Sequence, residues 1–127
     1  MKTASASPPQ VINLENKFSK FDKTYAPHIV ADVNDFWVLL AKLDGKFVEH
    51  RHDDEDELFL VLKGQLTIQM KDQTVTLDPG EIFVVPRGTD HLPSATKGTQ
   101  VLLLERKTVK HTGDKKTART VTEYKRI

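Results

Sequence analysis

Two stretches of this chain are apolar at both parities, and they constrain its fold more than any other feature. DFWVLLAKLDG (Asp35 to Gly45) sets Val38 and Leu40 against Trp37 and Leu39. ELFLVLKG (Glu57 to Gly64) sets Leu58, Leu60 and Leu62 against Phe59 and Val61. Successive side chains of a strand point to opposite faces, so a strand apolar on both faces must be covered on both. Neighbouring segments alternate cleanly instead. QLTIQMK places Leu66, Ile68 and Met70 inward and Gln65, Thr67 and Gln69 outward, and DQTVTLDPG carries the alternation through Val75 and Leu77. EIFVVP and QVLLLER read as two more strands. Asp44-Gly45 is a hairpin dipeptide, a tight turn is expected near Lys71 to Gln73, and Asp78-Pro79-Gly80 is a turn signal. Roughly seven or eight short strands, with turn signals about every 8–12 residues, predict an antiparallel all-β sandwich or barrel. No helical period persists beyond Tyr25.

A chain of 127 residues suits one domain with one core. Residues 1–26 read as an N-terminal arm, partly disordered, residues 27–106 as the β-domain, and residues 107–127 as a tail on or beside it. Within the arm, VINLENKFSKF spaces Leu14, Phe18 and Phe21 like one face of a helix, although an irregular arm fits as well. The tail, Lys107 to Arg126, is locally basic with no aromatic residue before Tyr124, and reads as a solvated segment. Cover for the two-sided strands has three candidate sources: a second sheet, the arm or another subunit. The size of the apolar surface favours a homodimer.

Composition removes several function classes. Nineteen basic and eighteen acidic residues leave a formal charge of +1, which gives no electrostatic reason to expect nucleic acid or an anionic membrane as partner. The absence of cysteine removes disulfides, thiolate metal sites and thiol catalysis, so any metal here is held by histidine nitrogen and carboxylate oxygen. MKTASASPPQ lacks the apolar core of a signal peptide, and no apolar run approaches the ~20 residues that span a bilayer. The expected location is cytoplasmic.

The chemistry-bearing residues are histidines: His28, His50, His52, His91 and His111. KFVEHRH reads as a strand after the Asp44-Gly45 turn, with His50 and His52 at i and i+2 on it, so both rings share a face with Val48. Two imidazoles on an inner face suit a divalent metal, though either ring is equally able to bond a loop carbonyl. Glu57 opens the next core strand in the parity of Phe59 and Val61, where a carboxylate is costly unless it is paired or bound to a cation. Asp53, Asp54, Glu55 and Asp56 read as an exposed turn. Further on, GEIFVVPRGTDHLP runs through a core strand into a loop. Pro86 and Gly88 shape that loop and aim His91. No serine–histidine–aspartate pattern presents itself.

The two segments together resemble the two motifs of the cupins. The first appears as Gly45, His50, His52, four residues, Glu57, six residues and Gly64; the second as Gly80, five residues, Pro86, Gly88, two residues and His91. Two departures exist. The spacer from Gly45 to His50 is one residue short of the common pattern, and Ala95 stands where the motif ends in asparagine. The resemblance covers about Pro27 to Arg106. It implies a small single-domain cupin, a jelly-roll-like double-stranded β-helix, with His50, His52, Glu57 and His91 as metal ligands facing its interior. His28 and His111 lie outside both motifs and read as ordinary residues.

The implied cofactor is one divalent ion per chain. Three neutral imidazoles and one carboxylate suit Fe, Mn, Ni, Co or Zn. Such a site implies a metal-dependent enzyme acting on a small oxygen-rich molecule, of dioxygenase, isomerase, lyase or decarboxylase class; the alternative is a non-catalytic binding module. Phe59, Val61, Phe83 and Val85, with Trp37 or Val38, are the candidate pocket walls, and Arg87 is placed to meet an anionic substrate at the mouth. All the apolar ones serve equally well as core, and Arg87 as a solvated loop residue.

Overall fold

The computed structural model describes residues 8–117 and 120–127. One short helix, α1 (Leu14–Phe18), precedes eight strands: β1 (His28–Val33), β2 (Phe36–Lys46), β3 (Glu57–Lys63), β4 (Leu66–Met70), β5 (Thr74–Leu77), β6 (Ile82–Val85), β7 (His91–Arg106) and β8 (Lys125–Arg126). β7 organises the sheet. Along one edge it pairs with β2 for nearly its whole length. Along the other it pairs first with β4 and then with β3. β5 and β6 extend those two branches, and β1 and then β8 extend the β2 side. The sheet remains open, with every pairing antiparallel except β1 with β8.

The inner face curls around one core in which Leu39, Ala41, Phe59, Val61, Leu66, Ile68, Val85, Val101 and Leu103 interlock. They come from alternate positions of five strands, as a two-residue side-chain period requires. The opposite face of β2 is covered by the arm. Phe18 and Phe21 pack on Val30 and Leu40, with Leu14, Val38, Leu62 and Leu102 against them. Helix α1 is capped by Asn13, whose side-chain oxygen accepts the Asn16 N–H at 2.8 Å. Beyond Leu62, the outer face of β3 and β6 has no such cover among the described residues, and Ile82 and Val84 stand 61% and 44% exposed there.

Three local expectations fail. KFVEHRH forms no strand: between Lys46 and Glu57 only His50 pairs, in a single bridge to His91. Asp44-Gly45 makes no hairpin. β2 runs through it, slipping register between Leu43 and Gly45 and continuing to pair with Ala95 and Ser94. Gly45 adopts φ +75°, and that freedom serves a bulge inside a long strand rather than a reversal. The tail is not simply solvated. It buries Val109, His111 and Thr112, and β8 joins the sheet beside β1. Gly113 lies so close to the chain at Arg51 that a Cβ there would meet the Arg51 carbonyl oxygen.

Candidate metal centre

The two motif segments meet through their backbones. His50 N–H donates to the His91 carbonyl at 3.1 Å, and His91 N–H returns the bond to His50 at 2.9 Å. Gly88 N–H donates to the His52 carbonyl at 2.8 Å. β3 begins at Glu57, which lies opposite Val85 of β6 and Glu105 of β7. Sheet register, not the local loop, therefore places a carboxylate beside three imidazoles.

His50, His52, Glu57 and His91 are all buried, and one potential ligand atom from each lies within 4.8 Å of all the others. Glu57 Oε1 stands 3.3 Å from His91 Nε2 and 3.6 Å from His52 Nε2. Donors about 2.0–2.2 Å from one ion stand about 3–4 Å from one another, so these separations suit a shared ion. The hydrogen bonding fits as well. His50 Nδ1 lies 2.8 Å from the Val48 carbonyl and His91 Nδ1 2.9 Å from the Thr89 carbonyl. Each contact fixes the proton on Nδ1 and leaves Nε2 a lone pair. His52 Nε2, Glu57 Oε1 and His91 Nε2 are buried without a hydrogen-bond partner. Unpartnered polar atoms are costly in an interior, and a cation at their common point offsets that cost.

Charge follows the same arrangement. Burial drives the His50 imidazole down to about 4, helped by His91. Burial also works to lower His91, but the close Glu57 carboxylate outweighs it and raises the group. For Glu57, burial pushes upward, but Glu105 and the close His52 and His91 rings hold the carboxyl well below its usual value. Glu105 goes the other way. Burial and then the Glu57 charge raise it well above the ordinary range, so of the two facing carboxyls Glu105 keeps the proton.

Of the expected pocket walls, Phe59 lines the cavity beside the cluster, together with Phe47, Val101 and Leu103. Val61 and Val85 are core, and Phe83 packs against that core. Trp37 sits at the edge, its ring 5.7 Å from that of Tyr124, while Val38 faces the arm instead. Arg87 is not brought to the cavity. Its guanidinium holds Asp56 at 3.2 and 3.3 Å on the surface, because that acidic turn lies nearer than the cavity mouth. His28 is an ordinary core residue, stacked on Phe21 and with Nδ1 2.7 Å from the Ala26 carbonyl. His111, read as ordinary too, lines the cavity, with its Nδ1 accepting the Val121 N–H at 2.8 Å. The residue the sequence argument missed is Glu105. The signal was present, since Val101, Leu103 and Glu105 share a parity in QVLLLER and that parity faces the core.

An antiparallel β-fold with three histidines and a glutamate converging inside it defines a class of small β-domain with a site suited to metal. The chain belongs to the cupins, and the family described as "Cupin domain" matches residues 36–105. The chain is 38% identical over 84 residues to YdbB of Bacillus subtilis (strain 168), covering 65% of this chain and 74% of YdbB. The structure is similar to a cupin-2 domain containing protein from Shewanella frigidimarina, with TM-score 0.74 and 41% identity over 76% of this chain and 94% of that one. It also resembles hydroquinone 1,2-dioxygenase from Sphingomonas sp. TTNP3, solved with 4-hydroxybenzoate bound, with TM-score 0.71 and 25% identity over 84% of this chain and 36% of that one. Among the described residues, no helix is long and apolar enough to cross a membrane.

Proposed function

We propose that His50, His52, Glu57 and His91 hold one divalent metal ion, and that the chain is a metal-dependent enzyme acting on a small oxygen-rich molecule. The carrying observation is the set of buried, mutually close and unpartnered ligand atoms. A bound ion would supply Lewis acidity and an anchor for substrate oxygen. The chain's own residues supply the rest. The Val48 and Thr89 carbonyls orient two rings, Glu105 hydrogen-bonds the Glu57 carboxyl, and Phe47, Phe59 and Leu103 exclude water. The similarity to hydroquinone 1,2-dioxygenase supports a dioxygenase over an isomerase, lyase or decarboxylase. Elemental analysis of protein purified without added metal tests the site: about one ion per chain is expected, and iron specifically supports the dioxygenase. No turnover of hydroquinones, diketones or sugar acids with any loaded metal would leave the alternative, a non-catalytic binding module. The small inner cavity, about 40 Å³, favours that second reading.

We also propose a homodimer through the outer face of β3 and β6. Ile82 and Val84 are exposed there, with Leu58 and Leu60 half-buried beside them. Light scattering on Val84→Lys is expected to show a monomer where the native chain is a dimer.

A further inference from the structure

Three residues line up across the inner face of the sheet. Trp37 of β2 lies opposite Glu105 of β7, and Glu105 lies opposite Glu57 of β3. Directly paired residues on neighbouring strands point to the same face, and strands stand about 4.8 Å apart, so this row spans about 10 Å. One end is a residue of the metal cluster. The other end, Trp37, lines a cleft of about 510 Å³ between the sheet and the tail. The inner cavity holds about 40 Å³, and His111 and Tyr124 are walls of both spaces. The inner space admits the head of a molecule and not its body, whereas the outer cleft has the size of a small-molecule site.

The chemistry of the inner walls narrows what enters. Two carboxyls, Glu57 and Glu105, line the inner cavity and no lysine or arginine does; the remaining walls are mostly aromatic or aliphatic. Glu105 is 1% exposed, and its Oε1 has no hydrogen-bond donor facing it. In the metal-free chain a carboxylate or phosphate head would lose its water against two acidic groups, with no cationic lysine or arginine in that wall to offset the loss. A hydroxyl would supply the donor that Glu105 lacks.

We propose that the cleft beside Trp37 binds the body of a ring-sized molecule that enters head-first by a hydroxyl, not by a carboxylate or phosphate, and that this hydroxyl passes Tyr124 and hydrogen-bonds Glu105. This deepens the enzyme reading and rests on it for the role of the ion, but not for occupancy of the cleft. Glu105 is thereby a specificity-determining residue and Tyr124 the partition between the two spaces.

Trp37 is the single tryptophan, so its emission reports the cleft directly. Catechol and benzoate, a ring whose head is a carboxylate, would be titrated into the full metal-free chain, with elemental analysis of the cobalt(II)-loaded chain alongside. Saturable quenching by catechol is expected, about tenfold or more tighter than by benzoate. Glu105→Leu should weaken catechol binding to the metal-free chain about tenfold while keeping the quenching amplitude. Tyr124→Ala should let the bulkier 2,3-dihydroxynaphthalene bind about tenfold tighter than it binds the native chain. The proposal is overturned by absent quenching, by equal or tighter binding of the carboxylate, by unaltered catechol affinity in Glu105→Leu, or by no gain in Tyr124→Ala. If Glu105→Leu does not fold, the native chain's preference and the Tyr124→Ala gain still decide. A chain that takes up no metal but shows these responses loses the enzyme reading and keeps this one.

Discussion

His91 and His111 are both buried histidines near the same cavity, and they differ in what their ring nitrogens meet. His91 gives Nδ1 to the Thr89 carbonyl and turns Nε2 toward Glu57, His52 and His50, with no partner. His111 gives Nδ1 to the Val121 N–H, and the Tyr25 backbone lies on its other hydrogen-bonding side. It clasps the tail to the arm. Burial is alike, so burial does not mark a ligand. A ring oriented by a carbonyl on one side and left open toward other donors on the other side does.

The sharpest way to break that comparison is to remove each ring. His91→Ala should cut bound metal from about one ion per chain to near zero, as should His52→Ala, because each ligand loss opens the shell. His111→Gln should leave the metal content unchanged. Elemental analysis of the three variants reads the difference, and equal loss in all would erase the distinction.

The pH dependence of stability comes next. Burial, the largest cause, lowers the folded His111 pKa from 6.5 to about 4. Between those values the unfolded chain takes up a proton that the folded chain refuses, so stability falls as pH drops through that window. The expected loss is about 3 kcal/mol from His111 alone. In metal-free protein His50 adds a loss in the same window, since burial also drives it to about 4. Urea unfolding from pH 7 to pH 4 should show a shallower slope in His111→Gln. An unaltered slope would mean that the clasp is not closed in solution.

A smaller effect is expected at Gly113. Its φ is +61°, and an added Cβ would clash with the Arg51 carbonyl beside the His50–His52 segment. Gly113→Ala should cost about 1–3 kcal/mol in urea unfolding, with metal content preserved. Smallest of all is Thr108→Ala, which removes a solvent-exposed 2.9 Å bond to Glu55 and should change stability by no more than about 0.5 kcal/mol.

The same contrast explains what was legible in the sequence. The strand faces were, because a two-residue period survives any tertiary context, and Leu66, Ile68 and Leu77 are buried as the alternation requires. The motif spacing brought His50, His52, Glu57 and His91 into view because Glu57 and His91 each open a strand and His50 bridges directly to His91. His111 was not legible, since it lies in a segment with no period and its burial depends on a bond from Val121, in the same irregular tail, and on Tyr25, far from it in the chain. Asp44-Gly45 misled because a glycine with positive φ serves a bulge as readily as a hairpin. Glu105 was legible by the argument already used for Glu57, a carboxyl in the parity of a core strand.

The central claim is that one ion sits among these four side chains. Element-specific anomalous scattering from a crystal of the metal-loaded chain tests it most directly. One peak per chain is expected, bonded to Nε2 of His50, His52 and His91 and to the Glu57 carboxylate. Absence of a peak there after loading, or a peak held by other residues, would contradict the account.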